Sequence, residues 1–231
     1  MNFTNEAISY HFDILARNYG KKRIKNYYLS GIHKLIKSFM NNVSEKNVLE
    51  IGCGTGEFLN SLLVKRGIGL DISKKMIEIA NLNYDGNNLK FYVGDLLKFN
   101  SKLDFDYIVL IDVIEHLADI HSAIHSLARL SNQNTIIIMS FSNPFWETPF
   151  KIFELLGLKD SEGPHNLTSI KKLKYVLYKN NFHVLTSGYR FLLPVKIPLF
   201  SNFFNSFFYK IPILRNLGMT QYIVCKQAKS L

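Results

Sequence analysis

Cysteine is scarce in this chain: two in 231 residues. Cys53 and Cys225 are far apart and form no pair with metal-binding or redox spacing. This excludes a disulfide-stapled scaffold and suits a reducing compartment. Also lacking is any uninterrupted run of about 18 apolar residues, so no membrane-spanning helix is expected. The opening "MNFTNEAISYHF" has no basic start followed by an apolar core, so no signal peptide is expected and the location is taken as cytoplasmic. Acidic residues are the minority, 18 Asp and Glu against 28 Lys and Arg, for a net charge of +10. Such a surface suits nucleic acid, an anionic membrane, or solubility alone. "KKRIK" at 21–25 is the single dense basic run, which favours the last. Repeats and low-complexity stretches are absent. What remains is 47% hydrophobic and 20% charged, a composition that builds a core.

Hydrophobic periodicity supplies the architecture. Residues 6–40 carry apolar side chains at helical spacing, among them Ile8, Phe12, Leu15, Ile32, Ile36 and Phe39, and Asn41-Asn42 closes the segment. Strands and helices then alternate. The expected strands are "NVLEI", "GIGLDIS", "LKFYVGD", "FDYIVLIDV", "NTIIIMSF", "FHVLTSGYR" and "MTQYIVCKQ". The expected helices between them are "GEFLNSLLVKR", "KKMIEIANLN" capped by Ser73, "DIHSAIHSLARL", and "TSIKKLKYVLYKN" capped by Thr168 or Ser169. Continuous apolar runs such as 107–111 and 136–139 indicate strands buried on both faces. The fold class is therefore α/β: a doubly wound, mostly parallel, seven-stranded sheet with helices on both faces. Residues 1–231 read as one domain: a helical cap at 1–43, a core at 44–190, an amphipathic segment at 191–218, and a final strand at 219–231.

The first strand runs into "GCGTGEF", with Gly52, Gly54 and Gly56 spaced G-x-G-x-G. Glycines let a ligand approach bare backbone, but the dinucleotide fingerprint is G-x-G-x-x-G. Glu50 adds a negative charge that would repel a pyrophosphate, so a cationic ligand fits better. Doubly wound sheets bind ligands at the carboxyl ends of their strands. Here those ends are acidic: Glu50, Asp71, Asp95 and Asp112. Asp71 follows Gly52 by 19 residues, the separation of a carboxylate that accepts from ribose hydroxyls.

Over residues 44–190 these motifs resemble the class I S-adenosylmethionine-dependent methyltransferases. "VLEIGCGTGEFL", "GLDIS", "GDL" and "FDYIVLIDVIEHL" are similar to the family's first four motifs. The resemblance implies S-adenosylmethionine as cofactor and S-adenosylhomocysteine as product. By it, Glu50 faces the cofactor's amino-acid end, and Gly52, Cys53, Gly54 and Gly56 form the loop under it. Asp71 holds the ribose, Ile72 packs the adenine, and Asp95 binds the adenine amine with Leu96 alongside. Tyr19, from the N-terminal helices, would cover the methionine end.

For the acceptor, "DVIEHL" offers Asp112, Glu115 and His116. On a helix, that i, i+3, i+4 spacing would put them on one face. Two roles are open: a divalent-cation site made by all three, or a His116 general base oriented by a carboxylate. The segment resembles that of quinone-biosynthesis O-methyltransferases. His165, in "EGPHNLTS", is either a second cleft histidine or part of a helix-entry turn. "SNPFW" at 142–146 follows the fifth strand, whereas the Asn-Pro-Pro-aromatic motif of amino-group methyltransferases follows the fourth. A nucleic-acid base is thereby disfavoured as acceptor. In "FLLPVKIPLFSNFFNSFFYKIPILRNLG", Phe200, Phe203, Phe204, Phe207, Phe208 and Ile211 recur at helical spacing. Their face is either a buried cap or a peripheral membrane contact at 197–211. Both suit a small or lipid-like acceptor: a quinone, an isoprenoid or a lipid-linked substrate. Alternatives to this O-methyltransferase are an RNA-modifying methyltransferase using the basic surface, and a cofactor-binding protein without catalysis.

Overall fold

A computed structural model describes residues 4–23, 27–86, 88–156, 163–191, 211 and 216–228, with the backbone alone at 17–23 and 153. Two N-terminal helices, α1 (Asn5–Arg23) and α2 (Tyr27–Lys37), precede the sheet. Then come β1 (Asn47–Ile51), α3 (Glu57–Asn60), β2 (Arg66–Asp71), α4 (Lys74–Tyr84), β3 (Leu89–Val93) and β4 (Tyr107–Ile111). They are followed by α5 (Ile120–Leu130), β5 (Ile136–Ser142), α6 (Glu147–Leu155), α7 (Ile170–Lys179), β6 (Phe182–Arg190) and β7 (Thr220–Gln227). The sheet order is β3-β2-β1-β4-β5-β7-β6, with β7 antiparallel to both neighbours and the other described pairs parallel.

Side-chain alternation explains the burial of both faces. Leu49, Ile51, Ile108, Leu110, Ile137, Met139, Ile223 and Cys225 pack toward Ile124 and Leu127 of α5 and Leu173 and Leu177 of α7. Val48, Val109, Ile138, Tyr222 and Val224 point the other way, toward Ile32 and Ile36 of α2, Phe58 and Leu59 of α3, and Ile77 of α4. The apolar runs are continuous because each parity of residue has its own helical layer to fill.

Local chemistry sets the boundaries. Ser73 accepts from the Met76 N–H and starts α4, and Asp119 does the same for α5 through His121. Ser169, not Thr168, caps α7 by accepting from Lys172. The helix expected over "GEFLNSLLVKR" is a single turn: Leu63, at φ +53°, takes the left-handed conformation that ends helices. Buried Leu62 and Val64 then lead the chain directly into β2. The short helix α6 and the single 3-10 turn at Pro144–Trp146 lie in a stretch to which the sequence reading assigned no element.

β6 and β7 face each other with Arg190 opposite Thr220, and Thr220 opposite Ser142 at the end of β5. The chain between them therefore leaves and re-enters the sheet at the edge where β1, β2, β3 and β4 end. Most of the phenylalanine-rich segment, 192–210 and 212–215, lies outside the described residues.

Candidate active site

At that carboxyl edge a cleft opens. Gly52, Gly54, Asp71, Ile72, Asp95, Leu96, Asp112 and His116 line it, as does α1 through Asn5, Ile8 and Phe12. Two of the three loop glycines and three of the four acidic strand ends thus meet in one place. Gly52 has φ +68° and Gly54 φ +53°. A Cβ at Gly52 would also collide with the Val113 side chain, so only glycine fits that turn.

Asp71 fastens the loop. Its Oδ2 accepts from the Gly54 N–H at 2.8 Å and its Oδ1 from the Ser73 N–H at 2.8 Å. Carboxylate oxygens have further lone pairs, so Asp71 can still accept from ligand hydroxyls. Asp95 accepts from the Leu97 N–H at 2.9 Å and from the Asn5 side-chain amide at 2.8 Å. Sequence reading missed Asn5 and Phe12, and helical spacing on α1 was the signal available for both. Tyr19, the aromatic expected over the cofactor, has its side chain outside the described residues; the described α1 aromatic in the cleft lining is Phe12.

Glu50 does not line this cleft. Two residues after Val48, it takes the face covered by α2 and α3, and with Cys53 it lines an adjoining cavity that shares Gly52 and Ile111 with the cleft. Burial pushes the Cys53 thiol well above its ordinary pKa, with the charges of Asp71 and Glu50 adding to it, so it is an inert filler. Gly56, at φ +85°, packs against Phe91 and Tyr84 instead of lining the cleft.

The "DVIEHL" residues diverge, contrary to the expectation of one helical face. Asp112 directly follows β4 at φ +54°, and Ile114–His116 form a single 3-10 turn. Asp112 accepts from the Ser140 hydroxyl at 2.8 Å and from the Tyr28 hydroxyl at 3.0 Å. Burial, then the Asp112 charge, raises the Tyr28 phenol well above its ordinary pKa, so it stays a donor. Glu115 is buried, with Oε1 accepting from the Ser142 N–H at 3.0 Å and its hydroxyl at 2.8 Å. Desolvation first and the Asp112 charge second push its carboxyl up to about 8. His116 Nδ1 lies 3.0 Å from the Pro164 carbonyl oxygen. Three side chains with three separate partners do not make a cation site, and among the described residues no three His, Cys, Asp or Glu groups converge to hold a metal.

His165 is held by its own turn, Nδ1 2.8 Å from the Gly163 carbonyl oxygen. It is not among the residues lining the cleft or the adjoining cavity. Its loop acts through backbone instead: the Pro164 carbonyl on His116, and the Asn166 N–H on the Glu115 carbonyl at 2.6 Å. Backbone partners of this kind leave no trace in side-chain identity.

The cleft also has a definite charge character. Among the described lining residues are three aspartates and no lysine or arginine, so a cationic, phosphate-free ligand fits and a pyrophosphate does not.

Residues 19–187 match the family model described as a methyltransferase domain. The ubiquinone biosynthesis O-methyltransferase of Pelagibacter ubique is 32% identical over 119 residues, covering 47% of this chain and 49% of that protein. The malonyl-acyl-carrier protein O-methyltransferase of Priestia megaterium is 25% identical over 157 residues, covering 62% of this chain and 57% of that protein. The chain thus spans about half the length of these curated relatives. In fold it resembles the crystal structure of magnesium protoporphyrin IX methyltransferase from Synechocystis PCC 6803 with bound S-adenosylhomocysteine. The TM-score is 0.68 at 18% identity, over 97% of this chain and 99% of that one. With the model matched over most of its length, this chain belongs to the methyltransferase domain family, among the class I S-adenosylmethionine-dependent methyltransferases.

Proposed function

We propose that this chain transfers the methyl group of S-adenosylmethionine to an oxygen of a small, lipid-like acceptor, with His116 as general base. The observation that carries the reading is the His116 contact to Pro164. A carbonyl only accepts, so Nδ1 bears the proton and donates, leaving Nε2 as the basic nitrogen of a cleft-lining residue.

Bound S-adenosylmethionine supplies a methyl carbon already activated by its sulfonium. The protein's share is alignment, exclusion of water, and removal of the acceptor's proton. Asp71 would hold the ribose hydroxyls, Asp95 the adenine amine between Ile72 and Leu96, and Glu50 the amino-acid end. Asp112, fixed by Ser140 and Tyr28, borders the reacting end, and Phe12 packs edge-on to His116 at 5.2 Å, narrowing access for water. An oxygen acceptor agrees with the two curated relatives, both named O-methyltransferases. A lipid-like one agrees with the phenylalanine-rich segment whose two ends lie at the carboxyl edge. Peripheral membrane contact through 197–211 belongs to the same reading.

Transfer of a labelled methyl group to a hydroxylated isoprenoid phenol tests it. His116→Ala should lower kcat by about 100-fold or more while leaving S-adenosylhomocysteine affinity intact. Undiminished turnover in that variant, or label delivered to nitrogen or carbon, contradicts the assignment.

A further inference from the structure

A histidine keeps its proton on Nδ1 only while an acceptor stays beside that nitrogen, so whatever holds the Pro164 carbonyl also sets the state of His116. Pro164 belongs to a stretch, 163–169, that forms neither helix nor strand. Its neighbours tie it down locally, through the Asn166 N–H on the Glu115 carbonyl at 2.6 Å and His165 Nδ1 2.8 Å from the Gly163 carbonyl oxygen. A further contact arrives from α1. Gly163 has φ +73°, and a Cβ there would overlap the His11 imidazole, so that ring rests on bare backbone. His11 also meets Phe12 edge-on, with centroids 5.3 Å apart at 79°, and Phe12 meets His116 at 5.2 Å and 90°. The contacts close a circuit: Gly163, His11, Phe12, His116 and Pro164, whose peptide bond returns to Gly163. His11 itself does not line the cleft.

We propose that His11 is a positioning residue for His116. Its ring seats Gly163, which keeps the Pro164 carbonyl on Nδ1 and leaves Nε2 as the basic nitrogen. The inference rests on the reading of His116 as general base and extends that reading to a residue outside the cleft. The same helix is tied to residues assigned to the cofactor, through Asn5 on Asp95 and the Ser9 hydroxyl on the Ile72 carbonyl. Cofactor binding that settles α1 therefore also prepares the base before the acceptor arrives. A small shift of Pro164 would let the proton move to Nε2 and remove the base without removing the histidine.

Nitrogen NMR of the histidine rings tests this, on the full chain with S-adenosylhomocysteine at a pH where His116 is neutral. The His116 signals are those missing from His116→Ala. The wild type should show His116 protonated on Nδ1. His11→Ala should move the proton toward Nε2 and lower kcat for a hydroxylated isoprenoid phenol about tenfold, with acceptor KM and S-adenosylhomocysteine affinity within about twofold. His11→Phe, which keeps a ring against Gly163, should restore both the tautomer and kcat. Gly163→Ala, which displaces the His11 ring without altering α1, should reproduce the tautomer shift, and it decides by the same spectrum if His11→Ala does not fold. Nδ1 protonation retained in both variants, or a loss of S-adenosylhomocysteine affinity as large as the loss of kcat, overturns the proposal. Wild-type His116 protonated on Nε2 overturns the general-base reading beneath it, a result distinct from Nδ1 protonation that is indifferent to His11.

Discussion

Asp112 and Glu115 sit three residues apart yet live in different surroundings. Asp112, at the cleft, is supplied with hydroxyl donors by Tyr28 and Ser140. Glu115 is buried beside Ser142, where burial and the Asp112 charge raise its carboxyl from an ordinary 4.5 to about 8. Between those two values the folded state keeps a proton that the unfolded state has lost. Unfolding therefore releases a proton, and stability falls as pH rises through this window. Glu115→Gln should flatten that fall and raise stability at pH 8 by an amount on the order of a few kcal/mol. Chemical denaturation at pH 5 and pH 8 reads it; the same pH dependence in both proteins would place the titrating group elsewhere. At this scale the sequence revealed which residues are acidic but not where they point. Asp71, Asp95 and Asp112 line the cleft as their strand ends suggest, because a parallel strand delivers its last side chain to one edge. The partners of Asp112 come from α2 and β5, 84 and 28 residues away, and no local pattern encodes them.

Helix α1 docks through a single polar stripe at i, i+4 and i+8. Asn5 donates to Asp95, the Ser9 hydroxyl donates to the Ile72 carbonyl at 3.1 Å, and Asp13 accepts from the Ser73 hydroxyl at 2.5 Å and the Lys75 N–H at 3.1 Å. Asp95, Ile72 and the neighbouring Ser73 lie at or next to residues assigned to the cofactor, so ligand binding and α1 docking should support each other. Tryptic cleavage within "KKRIK" at 21–25 should be slowed by S-adenosylhomocysteine in the wild type. The protection should weaken in Asp13→Ala, which also removes a helix-capping contact valued at about 1 kcal/mol. Identical cleavage with and without ligand would separate α1 from the site. The sequence carried α1 as a helix but not this stripe, since Asn, Ser and Asp at that spacing look like any solvated face. It misjudged α3 for a related reason: "EFLNSLL" has helical composition, and the left-handed turn at Leu63 is dictated by the chain's return to β2.

Across the whole molecule, the net charge of +10 does not reach the cleft, whose described lining holds aspartates and neither lysine nor arginine. Basic residues elsewhere and an acidic site fit a cationic small ligand better than a bound polyanion. All seven strands were legible, the buried central ones such as β4 and β5 as continuous apolar runs, and glycine with strand-end acids located the cleft. Illegible were the groups that arrive across the fold, such as the Pro164 carbonyl and the Tyr28 hydroxyl, because tertiary packing alone brings them there. The central claim is that the cleft is an S-adenosylmethionine site anchored on Asp71. Titration calorimetry with S-adenosylhomocysteine, against wild type and Asp71→Ala, tests it most directly. One molecule should bind per wild-type chain, with affinity at least tenfold lower in the variant, as lost hydrogen bonds to a charged group require. Full affinity in Asp71→Ala, or a wild-type chain that binds NAD in place of S-adenosylhomocysteine, would contradict the account.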